Sequence, residues 1–177
     1  MTIVVHPLFG SVGGNPHSPK EFTLWDIDVD LAMRLNDEWH SVLPDTNKGN
    51  LVRNKHKAFY AFEFNGKYYA VGIWTDPVAA NRLTFTAIEL RRLAICREAP
   101  KNTATRMLKL MREDLKVKFP HISRAISYQA KDHHHGTIYK ADNWIAAAES
   151  KYTPWHVNKG EKAPQTRSSK IRWERYL

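Results

Sequence analysis

The chain has 177 residues with 42% apolar side chains, which fits a single domain over residues 1–177 with a proper core and leaves little room for a second domain. Its 27 Lys and Arg against 18 Asp and Glu give a net charge of +9, which indicates an anionic partner, nucleic acid or a polyanionic cofactor, unless the charge only solvates the surface. The single Cys96 excludes an intramolecular disulfide and a cysteine-based zinc site, and no run approaches the roughly 20 apolar residues that cross a bilayer, so we expect a soluble, cytoplasmic protein without a membrane partner.

The N-terminal part of the sequence carries turn residues first and a helical pattern second. Its glycines and prolines predict an irregular arm over residues 1–20, apart from a short strand at Ile3–Val5. Apolar residues then recur at helical spacing from an N-cap at Asp28 or Asp30 until Pro44 stops the helix.

The middle of the sequence indicates a β-hairpin. After a polar, basic loop over residues 44–57, two apolar runs, Ala58–Phe64 and Lys67–Trp74, flank Asn65-Gly66, whose tolerance of positive φ is typical of a tight hairpin turn. A strand over Thr84–Ile95 is expected next, followed by a helix over Thr103–Phe119. The basic residues of this helix lie off its apolar stripe: Arg106, Lys109, Arg112 and Lys116. We then expect a strand over Arg124–Tyr128, a short helix carrying Tyr139, and strands at Ile145–Ser150 and Lys170–Tyr176, with a mobile loop over 151–169 between these last two.

Residues 89–108 predict an anion-binding arrangement, because an apolar strand runs through a basic loop straight into a helix. The unpaired backbone N–H groups of a first helical turn and the positive end of the helix dipole would meet at Lys101 and Asn102. This segment resembles the pyrophosphate loop of GNAT acyltransferases, Gln/Arg-x-x-Gly-x-Gly/Ala. Ala104 agrees with that pattern, whereas Asn102 replaces a glycine and, like glycine, tolerates the left-handed conformation. Basic helix starts are also common without a ligand.

Thr137–Trp144 places a tyrosine near the start of the second short helix. Tyr139 and the residues after it resemble the GNAT pattern Tyr-x-x-x-Gly-Phe, in which the tyrosine hydroxyl protonates the sulfur of coenzyme A, with Asn143-Trp144 in place of Gly-Phe. The alternative is a core tyrosine with a hydrogen-bonded hydroxyl.

The wider resemblance is more specific. Glu-Leu-Arg-Arg-Leu, Lys-Asn-Thr-Ala-Thr-Arg, Ser-Tyr-Gln, His-His-Gly-Thr-Ile-Tyr-Lys-Ala-Asp-Asn-Trp and the upstream Trp-His-Ser resemble the Mom family, GNAT-like bacteriophage proteins that alter the exocyclic amine of adenine in DNA. The resemblance implies an α/β, GNAT-like fold with a mixed, mostly antiparallel sheet, splayed between its fourth and fifth strands around a coenzyme A wedge. It also implies transfer of an acyl-derived group from acetyl-CoA or a related thioester to adenine N6 in double-stranded DNA, with the adenine flipped out, giving protection from restriction inside a bacterial host.

The resemblance, together with the charge and the chemistry of the residues, gives a set of candidate site residues. The catalytic candidates are Tyr139, His40, Ser41, His134 and Asp132, with the choice of base left open among His40, His134 and Asp132. The cofactor-binding candidates are Leu93, Ala94, Ile95, Lys101, Asn102, Thr103, Ala104 and Arg106. The DNA-binding candidates are Trp39, Arg53, Lys55, Lys57, Arg91 and Tyr128, although a basic loop is often only solvated and Trp39 also fits the apolar stripe of its helix.

A metal site is left open. Three consecutive histidines, His133 to His135, cannot close on one ion, because neighbouring helical positions diverge by about 100°. One of them could join His40 and a carboxylate, Asp132 or Glu89, in a mixed site. Two other functions fit the sequence: an N-acetyltransferase for a protein or small-molecule amine, and a DNA-binding protein that has lost its cofactor. The oligomeric state and the transferred group are also left open.

Overall fold

A computed structural model describes residues 14–40, 47–78, 86–150 and 168–177. Its elements are, in chain order, a 3-10 turn at Pro19–Glu21, β1 (Thr23–Asp26), α1 (Val29–Trp39), α2 (Lys48–Val52), β2 (Lys57–Phe64), β3 (Lys67–Thr75), β4 (Ala87–Ile95), α3 (Thr103–Lys118), β5 (Arg124–Ala130), α4 (Thr137–Ala141), β6 (Ile145–Ser150) and β7 (Lys170–Tyr176). The strands form one sheet in the order β1-β2-β3-β4-β5-β7-β6, in which β4 and β5 are parallel and the other neighbours antiparallel. The predicted mixed, mostly antiparallel sheet is confirmed.

The β2–β3 turn follows directly from its two residues. Asn65 and Gly66 have φ of 50° and 78°. Two successive positive φ angles match the right-handed twist of the flanking strands, which is why this dipeptide favours a tight hairpin. The predicted hairpin is confirmed.

The sheet divides between β4 and β5. Among the described residues, these strands pair from Ala87 with Arg124 to Leu90 with Ser127 and not beyond. Further along, β4 continues beside β3, and β5 continues beside β7. A wedge therefore opens between two half-sheets, at the position that the family resemblance implied.

The two faces of the sheet carry different helices. α3 packs on one face through Leu108, Met111 and Leu115, in a core that includes Trp74 and Leu90. α1 packs on the opposite face, where Ala32 and Leu35 meet side chains of β2, β3 and β4. None of the helices in the described part of the chain combines the length and the apolar character that crossing a bilayer requires.

Several predicted boundaries were wrong. Asp28 caps α1, since its Oδ1 accepts the Leu31 N–H at 2.8 Å, but the helix ends at Trp39 and not at Pro44. Part of the predicted 44–57 loop is α2, whose N-cap Asn47 accepts the Asn50 N–H. β1 was missed because four residues at a sheet edge carry little periodicity. The predicted strand at Ile3–Val5, Ser41 and most of the 151–169 loop lie outside the described residues.

Candidate active site

A cleft of about 330 Å³ opens where β4 and β5 part. Its walls come from the end of α1, the middle of β4, the end of β5 and the segment that leads into α4. The lining residues are His40, Leu90, Arg91, Arg92, Leu93, Ser127, Tyr128, Gln129 and the run His133–Tyr139. Residues that the sequence assigned to both the acid and the acceptor side therefore meet in one cavity.

Tyr139 is fixed on the helix α3 side of this cleft. Its ring stacks on Trp173 with centroids 5.4 Å apart and meets the edge of Trp144 at 5.5 Å. Its hydroxyl lies 2.8 Å from Ser127 Oγ, and Ser127 Oγ donates to the Leu90 carbonyl at 3.3 Å, at the last residue pair before the strands separate. Burial raises the pKa of Tyr139, while the Ser127 hydrogen bond lowers it. Tyr139 therefore carries its proton at neutral pH.

Ser127 is a site residue that the sequence analysis missed. It is buried in the middle of β5 and holds the Tyr139 hydroxyl at the branch point of the sheet. The available signal was a serine between Ile126 and Tyr128 in a predicted strand, because a buried hydroxyl needs a hydrogen-bond partner.

His40 and His134 face the same cleft from different elements. His40 is the C-cap of α1, and its backbone N–H donates to the Asn36 carbonyl at 2.8 Å, whereas His134 follows β5. Burial is the main cause that lowers both pKa values from 6.5, with further lowering at His40 by Arg92 and His134. Neighbouring His133 and His135 lower the pKa of His134 further. Both imidazoles are neutral at pH 7 and can accept a proton.

The histidine segment is held by Gln129, which the sequence analysis did not assign to the site. Trp173 Nε1 donates to Gln129 Oε1 at 2.7 Å, and Gln129 Nε2 donates to the His134 carbonyl. Gly136 then turns the chain into α4 with φ of 70°, and a Cβ at this position would lie 2.6 Å from Trp173 Cζ2. Glycine is needed here for its backbone angle and for its lack of a side chain.

The predicted phosphate loop lies at the start of α3. Asn102 adopts the left-handed conformation with φ of 68°, which its tolerance of positive φ had predicted. Lys101 and Asn102 are exposed, whereas Thr103 is buried and its hydroxyl donates to the Pro100 carbonyl at 2.7 Å. Ala104 and Arg106 are half-buried in the first turn.

The three β4 residues assigned to the cofactor do not share a face. Leu93 and Ile95 pack toward the core under α3, and Leu93 lines the cleft. Ala94 packs with the α1 layer on the opposite side. The alternation of a strand produces this division.

The acceptor-side and DNA-binding candidates are distributed over the molecule. Arg91 and Tyr128 line the cleft. Asp132 is exposed on the turn after β5, outside the cleft lining, with its N–H donating to Ser168 Oγ at 3.3 Å. Trp39 packs against the α1-side core beside a groove that Cys96 lines.

The basic segment Arg53, Lys55 and Lys57 does not line the cleft. It follows α2, which the pair of Lys48 Nζ with Asp30 Oδ1, 2.7 Å apart, ties to the first turn of α1. The 11 residues of α1 span about 16 Å, and His40 lies at the far end. The segment therefore belongs to the other end of that helix.

The described residues do not form the mixed metal site. They contain no group of three or more His, Cys, Asp or Glu placed to hold an ion. Glu89 is buried and accepts the Val78 N–H at 2.9 Å, and burial raises the pKa of its carboxyl group.

The model of the Mom protein family matches residues 74–175, more than half of the chain. The chain belongs to the Mom family. The Mom match runs from the end of β3 into β7 and includes the whole cleft lining except His40. No curated protein matches the chain in sequence.

Solved structures show the fold of this Mom family member to be that of GNAT acetyltransferases. A GNAT family acetyltransferase from Elizabethkingia anophelis with acetyl-CoA bound is 12% identical, with a TM-score of 0.63 over 89% of this chain and 99% of that chain. The ribosomal-protein-S18-alanine N-acetyltransferase from Escherichia coli is 12% identical, with a TM-score of 0.62 over 88% and 93%. The spermidine N-acetyltransferase from Vibrio cholerae in complex with CoA and spermine is 9% identical, with a TM-score of 0.60 over 88% and 95%.

Proposed function

We propose that this protein transfers an acyl-derived group from a coenzyme A thioester, acetyl-CoA or a related donor, to N6 of adenine in DNA, and thereby protects DNA from restriction. The observation that carries the proposal is the single cleft at the sheet division, where a protonated Tyr139 and two neutral imidazoles, His40 and His134, converge. An acid and a base in one cavity are what acyl transfer to an amine needs. Membership of the Mom family supports adenine as the acceptor.

The donor side is assigned to the face of the sheet that carries α3. The first turn of this 16-residue helix follows the left-handed Asn102 and the exposed Lys101, an arrangement that suits a pyrophosphate. When bound there, the thioester supplies an electrophilic acyl carbon and a thiolate leaving group. We assign the protonation of that leaving sulfur to Tyr139, because burial keeps its hydroxyl protonated and the hydrogen bond with Ser127 fixes its position at the cleft.

The acceptor side is assigned to His40 and His134. The adenine amine is a weak nucleophile, since its lone pair is delocalised into the ring, so a proton acceptor beside it is needed as the new C–N bond forms. A neutral imidazole supplies that acceptor at pH 7, and the low pKa of each histidine keeps it in this form. Gln129 holds the backbone of His134 and thereby acts as a positioning residue.

A second candidate is an N-acetyltransferase for a protein or small-molecule amine. It is favoured by two of the structural neighbours, whose names state a ribosomal protein alanine and spermidine as substrates. The basic surface would then be incidental.

Mass spectrometry of nucleosides from cells that express the protein separates these functions. We expect part of the plasmid deoxyadenosine to carry added mass on N6, and the fraction to fall in Tyr139→Phe and His134→Ala. Tyr68→Phe, which changes a half-buried tyrosine outside the cleft lining, and His17→Ala, which removes an exposed histidine, serve as matched controls. Unmodified nucleosides together with acetylation of a peptide or polyamine by the purified protein would favour the second candidate.

A further inference from the structure

An irregularity in β4 turns two consecutive arginines to the same face of the sheet. Ile73 pairs with Arg92 and Trp74 with Leu90, so Arg91 is an extra residue in the strand, a β-bulge. Leu90 and Leu93 both pack toward α3. Arg92, like its partner Ile73 in the α1 layer, lies on the opposite face, and Arg91 joins it there, 3.5 Å from Glu89.

Strands β5 and β7 extend this face with further cations. Ser127 and Gln129 contact Tyr139 and Trp173 on the α3 side, so Tyr128 between them lies on the α1 side. Cross-strand partners share a face, which places Arg172 beside Tyr128. The same alternation adds the pairs Arg124 with Tyr176, Ile126 with Glu174, and Ala130 with Lys170.

The resulting surface is strongly positive and partly exposed. Among the residues that the structure describes, it carries five cations, Arg91, Arg92, Arg124, Lys170 and Arg172, against two carboxylates, Glu89 and Glu174. Glu174 lies between Arg124 Nη1 at 3.1 Å and Arg172 Nε at 2.8 Å, so it is already compensated. The side chains of Arg91, Arg124 and Arg172 are 28%, 30% and 29% exposed to solvent. We call these five cations and Tyr128 the arginine face.

The arginine face is continuous with the cleft. Arg91, Arg92 and Tyr128 belong to both. The cleft passes between the half-sheets, with Tyr139 on one side of the sheet and Tyr128 on the other. A cofactor held at the start of α3 would enter from the α3 side, which leaves the arginine face for the acceptor.

We propose that the arginine face binds the DNA strand that carries the target adenine, with the cations on its phosphates and Tyr128 stacked on a base at the cleft mouth. The choice of DNA as the ligand rests on the proposed function, whereas the location of the surface rests on its charge and geometry. Cations around a central aromatic ring are the elements that hold nucleic acid strands through phosphates and base stacking. The surface differs from the basic segment at residues 53–57, at the other end of α1.

The test is the salt dependence of binding to a labelled adenine-containing DNA duplex, measured by fluorescence anisotropy without any acyl donor. We expect Arg91→Gln/Arg172→Gln to weaken binding and to reduce the log–log salt slope by about 2, since each lost phosphate contact removes about 1. This double variant leaves Arg124 paired with Glu174. Lys109→Gln/Lys116→Gln removes two exposed cations on α3 and should leave the slope unchanged.

Tyr128→Leu provides a second readout. It removes the aromatic platform without changing the charge, so affinity should fall while the salt slope stays at its original value. Melting temperatures of all variants, measured in parallel, identify any that fail to fold.

Three results would overturn the proposal: no salt-dependent DNA binding by the unaltered protein, an unchanged slope in a folded Arg91→Gln/Arg172→Gln variant, or a loss confined to Arg53→Gln/Lys55→Gln. If Arg91→Gln/Arg172→Gln loses the rise in melting temperature with acetyl-CoA but still binds DNA, the two arginines belong to the cofactor site, and this result would also overturn the proposal. DNA binding that follows the prediction, with DNA that is never modified, would support the arginine face and refute the proposed acyl transfer.

Discussion

Arg112 and Asp142 form a buried two-point ion pair, with Nε 3.0 Å from Oδ2 and Nη2 2.7 Å from Oδ1. Trp144 Nε1 also donates to Asp142 Oδ2, at 2.8 Å. The pair joins α3, which starts at the proposed phosphate loop, to the residue that ends α4, which carries Tyr139. It therefore fixes the spacing between two parts of the proposed donor site.

Arg112→Met should destabilise the protein by about 3–5 kcal/mol, because it leaves the carboxylate of Asp142 buried without its counter-charge. Urea denaturation measures the free energy of unfolding. Lys109→Met on the exposed side of the same helix is the control and should change it by less than about 0.5 kcal/mol. Equal effects of the two substitutions would contradict a structural role for the ion pair.

Tyr139→Phe should reduce DNA modification by a factor of about 10²–10⁴, the usual contribution of a general acid. The ring keeps its stacking on Trp173, so the free energy of unfolding should fall by only about 1 kcal/mol, the usual contribution of one hydrogen bond. Initial rates and denaturation curves of the same preparation measure both quantities. Full activity of the variant would show that Tyr139 is a core residue only.

Activity should fall on acidification, as His40 and His134 become protonated below their ordinary pKa of 6.5. Stability should fall in the same direction, because below pH 6.5 the unfolded chain takes up protons that these two imidazoles, partly desolvated at the cleft, bind less readily in the folded state. Melting temperatures across a pH series test this. His134→Gln should reduce the loss at acidic pH, whereas His17→Gln should reproduce the unaltered curve.

Acetyl-CoA should raise the melting temperature if the start of α3 holds its pyrophosphate. A ligand at about 100 times its dissociation constant adds about 2.7 kcal/mol to the free energy of unfolding. Lys101→Glu should abolish the shift by reversing an exposed charge at the loop, and Lys109→Glu, further along α3, should retain it. The lack of any shift at saturating concentrations with the unaltered protein would favour a DNA-binding protein without a cofactor.

Gly136→Ala and Gly66→Ala form a matched pair, with φ of 70° and 78°. Each forces an alanine into the left-handed region and should cost more than about 1 kcal/mol. A Cβ at Gly66 meets nothing within 4 Å, whereas one at Gly136 meets Gln129 and Trp173. Gly136→Ala should therefore lose more stability than Gly66→Ala, and it should also lose activity. The difference in stability measures the packing that holds the histidine segment. Equal losses of stability in the two variants would show that this packing does not hold the segment.

Local patterns were sufficient to predict much of the fold. Asn65-Gly66 specified its hairpin, and the last two strands, Ile145–Ser150 and Lys170–Tyr176, were predicted with their observed bounds. These elements depend on residues that are neighbours in sequence.

Relationships between distant residues were not predictable in this way. Helical spacing leaves Arg112 off the apolar stripe of its helix, yet it is buried because Asp142, 30 residues later, neutralises it. Ser127 can hold the Tyr139 hydroxyl at the sheet division only because β5 pairs with β4, a pairing between strands that are distant in sequence. Likewise, the arginine face collects side chains from three strands, and the bulge at Arg91 follows from a register that no local pattern reveals.

The short seam between β4 and β5 has a mechanical consequence. Strand pairing joins the two half-sheets through only four residue pairs in the described part of the chain, so a ligand in the cleft would add contacts between the halves. A donor on one side and a DNA strand on the other would each brace both halves. The two substrates would then also connect the half-sheets while they are bound, and the protein would be most rigid when both are in place.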